Sequence, residues 1–374
     1  YGLSLCKASV QWANPNRFMS SLTRNYLINV GKLVRNDRLL RPVAVAYYAT
    51  TQCNLNCAYC EDFGQRRNND ATPPLPAEDA LRVLRTIRSG TDHLILTGGD
   101  PLLYPHIVPL ALRARRELKF RHITLQTNGL LLPQCEELLA VIDRLVISLD
   151  STDPVLWSSI TGVPVGVVAA ILDNVRVYAG RQREFGYQLV ANCVISPETL
   201  PGARQVLDFC AQNEILISVS PQSVNNWPRY ELLVSENYQS FLRELIARKR
   251  SGAPILGSTA YLRTLLDLRS FSCYPLLVPR VLPDGALIYP CRPIEKADNG
   301  QGGRSVNLLE AGSWTRALRA AAERYGLPPR VCTSCFQQCY IEPSLMQARS
   351  LSWAGEWLRH RASRHGRLAS FAPG

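Results

Sequence analysis

The sequence predicts an α/β chain: a curved parallel sheet or barrel of six βα units, followed by a small irregular, cysteine-rich C-terminal domain. Three observations carry this. Strand-like apolar runs alternate with helix-like patterns from residue 43 to residue 220. Those runs are too apolar to face water, as expected of parallel strands covered on both sides. Beyond Phe271 the periodicity gives way to Pro, Gly and Cys.

Taken in order, residues 17–39 read as an amphipathic helix with Met19, Leu22, Tyr26, Leu27, Val30, Leu33 and Val34 on one face, ended by Pro42. Candidate strands follow at Val43–Ala49, His93–Thr97, His122–Gln126, Arg144–Leu149, Tyr187–Ile195 and Ile215–Ser220. Helices are expected between them near 77–89, 105–117, 133–142, 164–180 and 199–213. Crossovers joining parallel strands are right-handed, and such sheets place their sites at the carboxyl ends of the strands. Helices near 236–250 and 258–269 lead away from the repeat. A hairpin is expected around Pro283–Asp284–Gly285. The division expected is residues 1–42 as an N-terminal helical segment, 43–235 as the barrel and 236–270 as linking helices. Residues 271–345 form the cysteine-rich domain and 346–374 a basic C-terminal helix or tail.

The 374 residues, 46% hydrophobic, suffice for one large α/β domain and an appendage. No apolar run reaches the roughly 18–20 residues of a membrane-spanning helix. The start, Tyr1–Arg17, lacks the order of a secretory signal. A soluble cytoplasmic location is the default expectation. The formal charge is +12, spread along helices such as Phe241–Arg250 and the tail Arg359–Arg367. This is either a solvated basic surface or an attraction to an anionic partner: an acidic peptide, a phosphorylated metabolite or anionic lipid headgroups. No nucleic acid partner is expected, because no known binding signature is present and few aromatics interleave the basic residues. The N-terminal helix and the tail Ser352–Arg367 either pack on the sheet or form a basic surface in peripheral membrane contact.

The chain has twelve cysteines, and eight of them fall into two groups. Cys53, Cys57 and Cys60 lie in TQCNLNCAYCEDFG, directly after the first strand. This spacing sets three thiolates around one compact inorganic core. Iron–sulfur clusters are normally held by four thiolates, so three imply an open iron, the feature that permits chemistry. A zinc knuckle is the alternative, but zinc ligands usually come as paired CxxC or with histidines, and no His lies near. The second group is Cys273, Cys291, Cys332, Cys335 and Cys339. A hairpin bracketed by Cys273 and Cys291, capped by the CxxC of Cys332 and Cys335, makes a closed four-thiolate site. Cys339 is then surplus or competes with one of the four, and structural zinc is again the alternative. Cys6, Cys135, Cys193 and Cys210 stand alone among apolar residues and read as buried small hydrophobes.

CxxxCxxC after the first strand of a βα repeat resembles the radical S-adenosylmethionine (radical SAM) superfamily. The resemblance implies a partial (βα)6 TIM-like barrel in which Cys53, Cys57 and Cys60 hold a 4Fe–4S cluster. Its open iron would bind S-adenosylmethionine, and one electron, from a donor such as flavodoxin or ferredoxin, would cleave the sulfonium bond to give a 5′-deoxyadenosyl radical. Further residues match family positions. Tyr59 stands where the family packs adenine. Thr97–Pro101, TGGDP, resembles the GGEP motif that meets the methionyl amino group, so Gly98, Gly99 and Asp100 are cofactor residues, with Asp in place of Glu. Thr127 and Asn128 of LQTNG end the third strand. Ser148 and Asp150 of ISLDS end the fourth, at ribose-contacting positions. Asn192 lies on the fifth, and Val219 and Ser220 close the sixth. The likeness covers roughly residues 43–222. The second cysteine group resembles the family's auxiliary twitch or SPASM domains. A full SPASM domain would need more than the five cysteines present, so one auxiliary 4Fe–4S cluster is implied. The radical chemistry belongs to the cofactor, while the protein binds, orients and keeps the cavity dry.

Tyr104 and His106, beyond the GGDP loop, could face substrate, and Arg229, Arg263 and Arg292 could bind an anion. Ribosomal peptides, small metabolites and lipids compete as substrates. The roughly 40 residues ahead of the first strand are too short for the winged-helix domain many peptide-modifying members carry. A helix leading into RPVAVAYYATTQC also occurs in hopanoid-lipid adenosyl transferases of the superfamily. Outside the enzyme class, the alternative is a non-catalytic zinc or iron–sulfur scaffold.

Overall fold

A computed structural model of the chain describes residues 15–60, 72–224, 226–297, 303–330, 332 and 335–352. Cys6, Glu61–Gly64 of the cysteine loop and the basic tail from residue 353 lie outside the described residues. Helix α1 (Pro15–Val34) ends earlier than Pro42 requires, because Asn36 turns with φ of 57° and the Lys32 carbonyl takes the amide hydrogens of Arg35 and Asp37. An Asn in this left-handed conformation is a common helix stop. The packed face holds Val30, Tyr26 and Leu33 as expected, but it is shifted toward two polar residues. Asn25 and Asn29, one turn apart, are buried, whereas Leu27 and Val34 are 59% and 72% exposed. The asparagines face inward because they satisfy loop backbone: Asn25 donates to the Pro42 carbonyl at 2.7 Å, and Asn29 pairs with Arg41 N and O at 2.8 and 2.9 Å.

The repeat then runs β1 (Val45–Thr50), α2 (Ala77–Arg88), β2 (His93–Gly98), α3 (Ile107–Arg116), β3 (His122–Thr127), β4 (Arg144–Ser148), α4 (Pro154–Thr161), α5 (Val165–Gly180), α6 (Gln182–Phe185), β5 (Gln188–Ile195), α7 (Ala203–Gln212) and β6 (Leu216–Pro221). All six expected strands form, within two residues of the expected bounds. The helix expected at 133–142 does not. That short crossover is two 3-10 turns, Leu132–Gln134 and Glu136–Ala140, closed by bonds such as Cys135 N to Leu132 O at 2.9 Å. A hairpin, β7 (Ser223–Val224) and β8 (Trp227–Pro228), leads to α8 (Tyr230–Leu233), α9 (Glu236–Arg250) and α10 (Thr259–Asp267).

Beyond Phe271 the chain carries regular elements that its Pro/Gly punctuation conceals: β9 (Arg280–Val281), β10 (Ala286–Ile288), α11 (Arg292–Ala297), β11 (Ser305–Asn307), α12 (Leu308–Ala311), α13 (Trp314–Tyr325) and a helix over residues 338–352. The expected turn closes β9 onto β10, with Gly285 at φ of 84°. β9 pairs parallel with β1, Ala46 opposite Arg280, so the nine-stranded order is β11-β10-β9-β1-β2-β3-β4-β5-β6. The sheet stays open, its edges β11 and β6 unpaired with each other.

Strand alternation sorts the two faces. Tyr47, Leu94, Leu96, Ile123, Leu125, Leu145, Ile147, Leu189 and Val219 enter the main core under the helices. The inner face carries Tyr48, Thr97, Gln126, Ser148, Asn192 and Ser218. At its apolar floor, Val146, Val190 and Leu216 pack with Leu256. Gln126 is exposed although it lies on a central strand, so the concave side of the sheet is open to solvent. This partial barrel agrees with the expected fold class.

Candidate active site

The cysteine loop leaves β1 at Thr50 and is pinned by the backbone of Gly98–Asp100. Gly99 N donates to Thr50 O at 2.9 Å and Asp100 N to Gln52 O at 2.7 Å. Side chains are excluded from this junction. A Cβ on Gly98, whose φ is 146°, would lie 2.2 Å from Thr50 O, and one on Gly99 would lie 2.1 Å from Gln52 O. The two glycines therefore serve the approach of one backbone to another. From the other side, Asn56 N and Ala58 N donate to Thr161 O and Ile160 O at the end of α4, both at 2.8 Å.

The loop brings Cys53, Cys57 and Cys60 near enough for each thiol to act electrostatically on the other two. All three are half-buried. Burial is the main force that pushes Cys53 up to about 11 and Cys57 up to about 12, with Asp100 and Asp150 adding to it. Such thiols become thiolates only against a compensating cation. Beside them the Thr51 hydroxyl is buried without a hydrogen-bond partner among the described residues. Three soft donors without a fourth among the described residues, next to an unsatisfied hydroxyl, fit a group larger than a single ion. Among the described residues no three His, Cys, Asp or Glu side chains close around a single metal ion.

Asp100 and Asp150 are both buried and both occupied. Asp100 accepts from Thr127 Oγ1 at 2.8 Å, Asn128 N at 2.8 Å and Leu102 N at 2.9 Å. Asn128 in turn donates from Nδ2 to Asn54 Oδ1 at 2.6 Å, reaching back into the cysteine loop. Asp150 takes the Tyr59 hydroxyl hydrogen and, at 2.8 Å, the amide of Val194. Burial raises it to about 6. Ser148 and Asn192 stand opposite each other on the concave face. Val219 is turned the other way. Its side chain is in the outer core and its carbonyl accepts from Tyr261 Oη at 3.0 Å, leaving Ser218 and Ser220 on the concave side.

Of the other candidates, Tyr104, Arg229 and Arg292 have structural partners. Tyr104 is buried with its hydroxyl on Leu75 O at 2.8 Å. His106 precedes α3 and is exposed. Arg229 pairs with Glu198 and Glu231 at the surface, Arg263 is exposed, and Arg292 pairs with Glu295 at 2.5 Å. An open cleft of about 420 Å³ is lined by Arg144, Leu256, Gly257, Ser258, Gln338 and Glu342.

The second cysteine group also converges. Cys273 is hydrogen-bonded to the Cys332 thiol, and its amide donates to Cys332 O at 3.0 Å. Cys273, Cys291, Cys332 and Cys335 act on one another in every pairing. Burial raises Cys291 to about 12 and Cys335 to about 11. Cys339 stands to one side, beside Cys335 and within 3.6 Å of the Arg280 guanidinium. Arg280, Gln337 and Asn226 escaped the sequence reading; the only signal was an Arg inside the apolar run LLVPRVL.

Residues 47–190 match the radical SAM superfamily. Those residues form a radical SAM domain. A probable GTP 3′,8-cyclase of Methanococcus aeolicus is 31% identical over 175 residues, covering 46% of this chain and 56% of that protein. The GTP 3′,8-cyclase of Geobacter sulfurreducens is 36% identical over 132 residues, 34% of this chain and 39% of its own length. The chain thus spans about half the length of the curated relatives it matches. Among solved structures, Streptococcus suis SuiB bound to S-adenosylmethionine superposes with a TM-score of 0.58 at 23% identity, over 76% of this chain and 67% of SuiB. anSMEcpe with bound AdoMet gives 0.55 at 14% identity over 86% of this chain and 96% of that one. These likenesses show the fold. The cofactors of such a domain are a 4Fe–4S cluster and S-adenosylmethionine.

Proposed function

We propose that the chain reductively cleaves S-adenosylmethionine at the Cys53–Cys57–Cys60 loop and directs the radical onto a substrate held against the concave face of the sheet. The observation that carries this is the three-thiol loop fixed between the Gly98–Asp100 backbone and the end of α4. With its cofactors bound, the site supplies a 5′-deoxyadenosyl radical. The residues around it bind, orient and shield. Gly98 and Gly99 hold the loop at the carboxyl end of the sheet, Asp100 locks the ends of β2 and β3, and Tyr59 and Asp150 brace the loop against β4. Ser148, Asn192, Ser218 and Ser220 offer polar contacts on the concave side. We assign Cys273, Cys291, Cys332 and Cys335 to one auxiliary 4Fe–4S cluster, residues 43–235 to radical formation and 271–345 to the auxiliary site.

The substrate is a polar or anionic molecule in this reading, because the concave wall above the Val146–Val190–Leu216 floor is hydroxyl- and amide-rich and carries Arg280 at its β9 side. The likeness to the GTP 3′,8-cyclase of Methanococcus aeolicus covers 46% of this chain and 56% of that protein, so it supports the chemistry and does not by itself name a nucleotide substrate. A small metabolite, a peptide and a lipid headgroup all present suitable polar groups. Among the described residues no single helix is long and apolar enough to cross a membrane.

Anaerobic reconstitution followed by counting iron and sulfide, then assaying 5′-deoxyadenosine under reduction, tests the reading. About eight irons per chain with 5′-deoxyadenosine release is expected. About four irons plus one zinc would remove the auxiliary cluster alone. A Cys57→Ala protein that still releases 5′-deoxyadenosine would overturn the first site, and wild-type protein that never releases it would favour a scaffold. Comparing metabolites and lipids of wild-type and deletion cells then identifies the substrate class.

A further inference from the structure

Arg280 opens β9 opposite Ala46 of β1, between the concave face and the second cysteine group. Its Nη2 donates to Gln337 Oε1 at 3.0 Å and to Cys339 Sγ at 3.6 Å. The guanidinium carbon lies 5.7 Å from the centre of the Tyr340 ring, and Tyr48 approaches from β1. Gln337 is itself fixed, donating to Asn226 Oδ1 at 3.0 Å, while Phe336 N donates to Asn226 O at 2.8 Å. Among the described residues no carboxylate pairs with Arg280; its neighbours are a thiol, an amide and two phenols. A half-buried cation without a counter-ion is costly. Of the four-cysteine set that Cys339 adjoins, Cys291 and Cys335 lie near enough to feel its charge.

We infer that Arg280 is a positioning residue for the auxiliary site: it holds Cys339 and Gln337 beside the Cys273–Cys291–Cys332–Cys335 set and raises the reduction potential of the cluster held there. The inference rests on the auxiliary cluster proposed above. Charge and hydrogen bonding near the sulfurs set such potentials, and a fixed cation favours the more negative, reduced state. It also settles the fifth cysteine, which is a neighbour of the set rather than a ligand.

Wild type, R280Q, R280K and C339S, each reconstituted anaerobically, would be compared by iron and sulfide count and by potentiometric titration with dithionite, followed by electron paramagnetic resonance. About eight irons per chain is expected throughout. In R280Q one of the two cluster midpoints falls by at least about 59 mV, a tenfold shift in a one-electron equilibrium, while the other stays. R280K, which keeps the charge, falls less. Unmoved midpoints in R280Q, or C339S protein with only about four irons, would overturn the inference. If R280Q fails to load its auxiliary irons, R280K decides: a loaded R280K supports the charge role and an unloaded one overturns it. Wild-type protein with only about four irons defeats the auxiliary-cluster reading itself, before any variant is compared.

Discussion

Asp100 grips Thr127 with both carboxylate oxygens, which lie 2.8 and 3.1 Å from the hydroxyl. The same carboxylate caps the turn after β2 through Leu102 N and fixes the end of β3 through Asn128 N. The side chain is thereby enclosed by two strand ends, and the shorter of the two acidic residues fits. D100E adds a methylene to a filled site and should cost about 1–3 kcal/mol, read by urea unfolding of the metal-free protein. A variant as stable as wild type would show spare room there and dismiss the clamp.

Gly99 packs against Gln52 O so closely that an alanine Cβ would stand 2.1 Å from it. The obstacle is backbone, so the cysteine loop must move. G99A should reconstitute with about four irons, those of the auxiliary site, and release no 5′-deoxyadenosine. Full iron loading would mean that the loop does not depend on this junction.

His122 begins β3 with its ring centre 5.3 Å from that of His93 on β2. Burial first, then Arg144 of β4, His93 and Arg115 of α3, hold it neutral down to about 2. Asp143 lies 3.7 Å from Nδ1 but is committed to Arg115 and Ile123 N. Unfolded, the ring titrates near 6.5. Below that pH the unfolded chain binds a proton that the folded one refuses, so this contribution to stability is whole above 6.5 and is lost as pH falls. At pH 5 the loss is about 2 kcal/mol. H122Q should show a smaller drop between pH 7.5 and pH 5 in urea midpoints; an equal drop would place the acid sensitivity elsewhere.

Trp314 of α13 lies over Gly90 at the end of α2, and its amide donates to Ser89 Oγ at 2.9 Å. A Cβ on Gly90 would be 2.6 Å from the indole. The ring is 3% exposed. W314A should therefore cost about 3–5 kcal/mol in a single unfolding transition that includes the βα repeat. Two separate transitions, with the repeat unaffected, would show that the C-terminal region is only loosely attached.

The strands were legible because a parallel strand carries its burial in its own composition, as Leu94, Leu96, Ile123 and Leu125 show. The cysteine loop was legible because spacing along one loop is local information. In helix α1 the burial of Asn25 and Asn29 was not legible, because their partners are carbonyls seventeen and twelve residues away, at Pro42 and Arg41. The direction of the Val219 side chain was not legible, because strand-end position does not reveal it when the sixth strand has both Ser and Val at its end.

By itself the sequence determined the βα repeat, the two cysteine groups and the family whose cofactors the first group serves. The tertiary structure alone decided how those parts meet: β9 docking on β1, Asp100 locked to Thr127, and Arg280 set beside Cys339. Periodicity and spacing act over a few residues and are written in the chain. Contacts across 27 residues from Asp100 to Thr127, or 59 from Arg280 to Cys339, exist only once the sheet has brought distant segments to one edge.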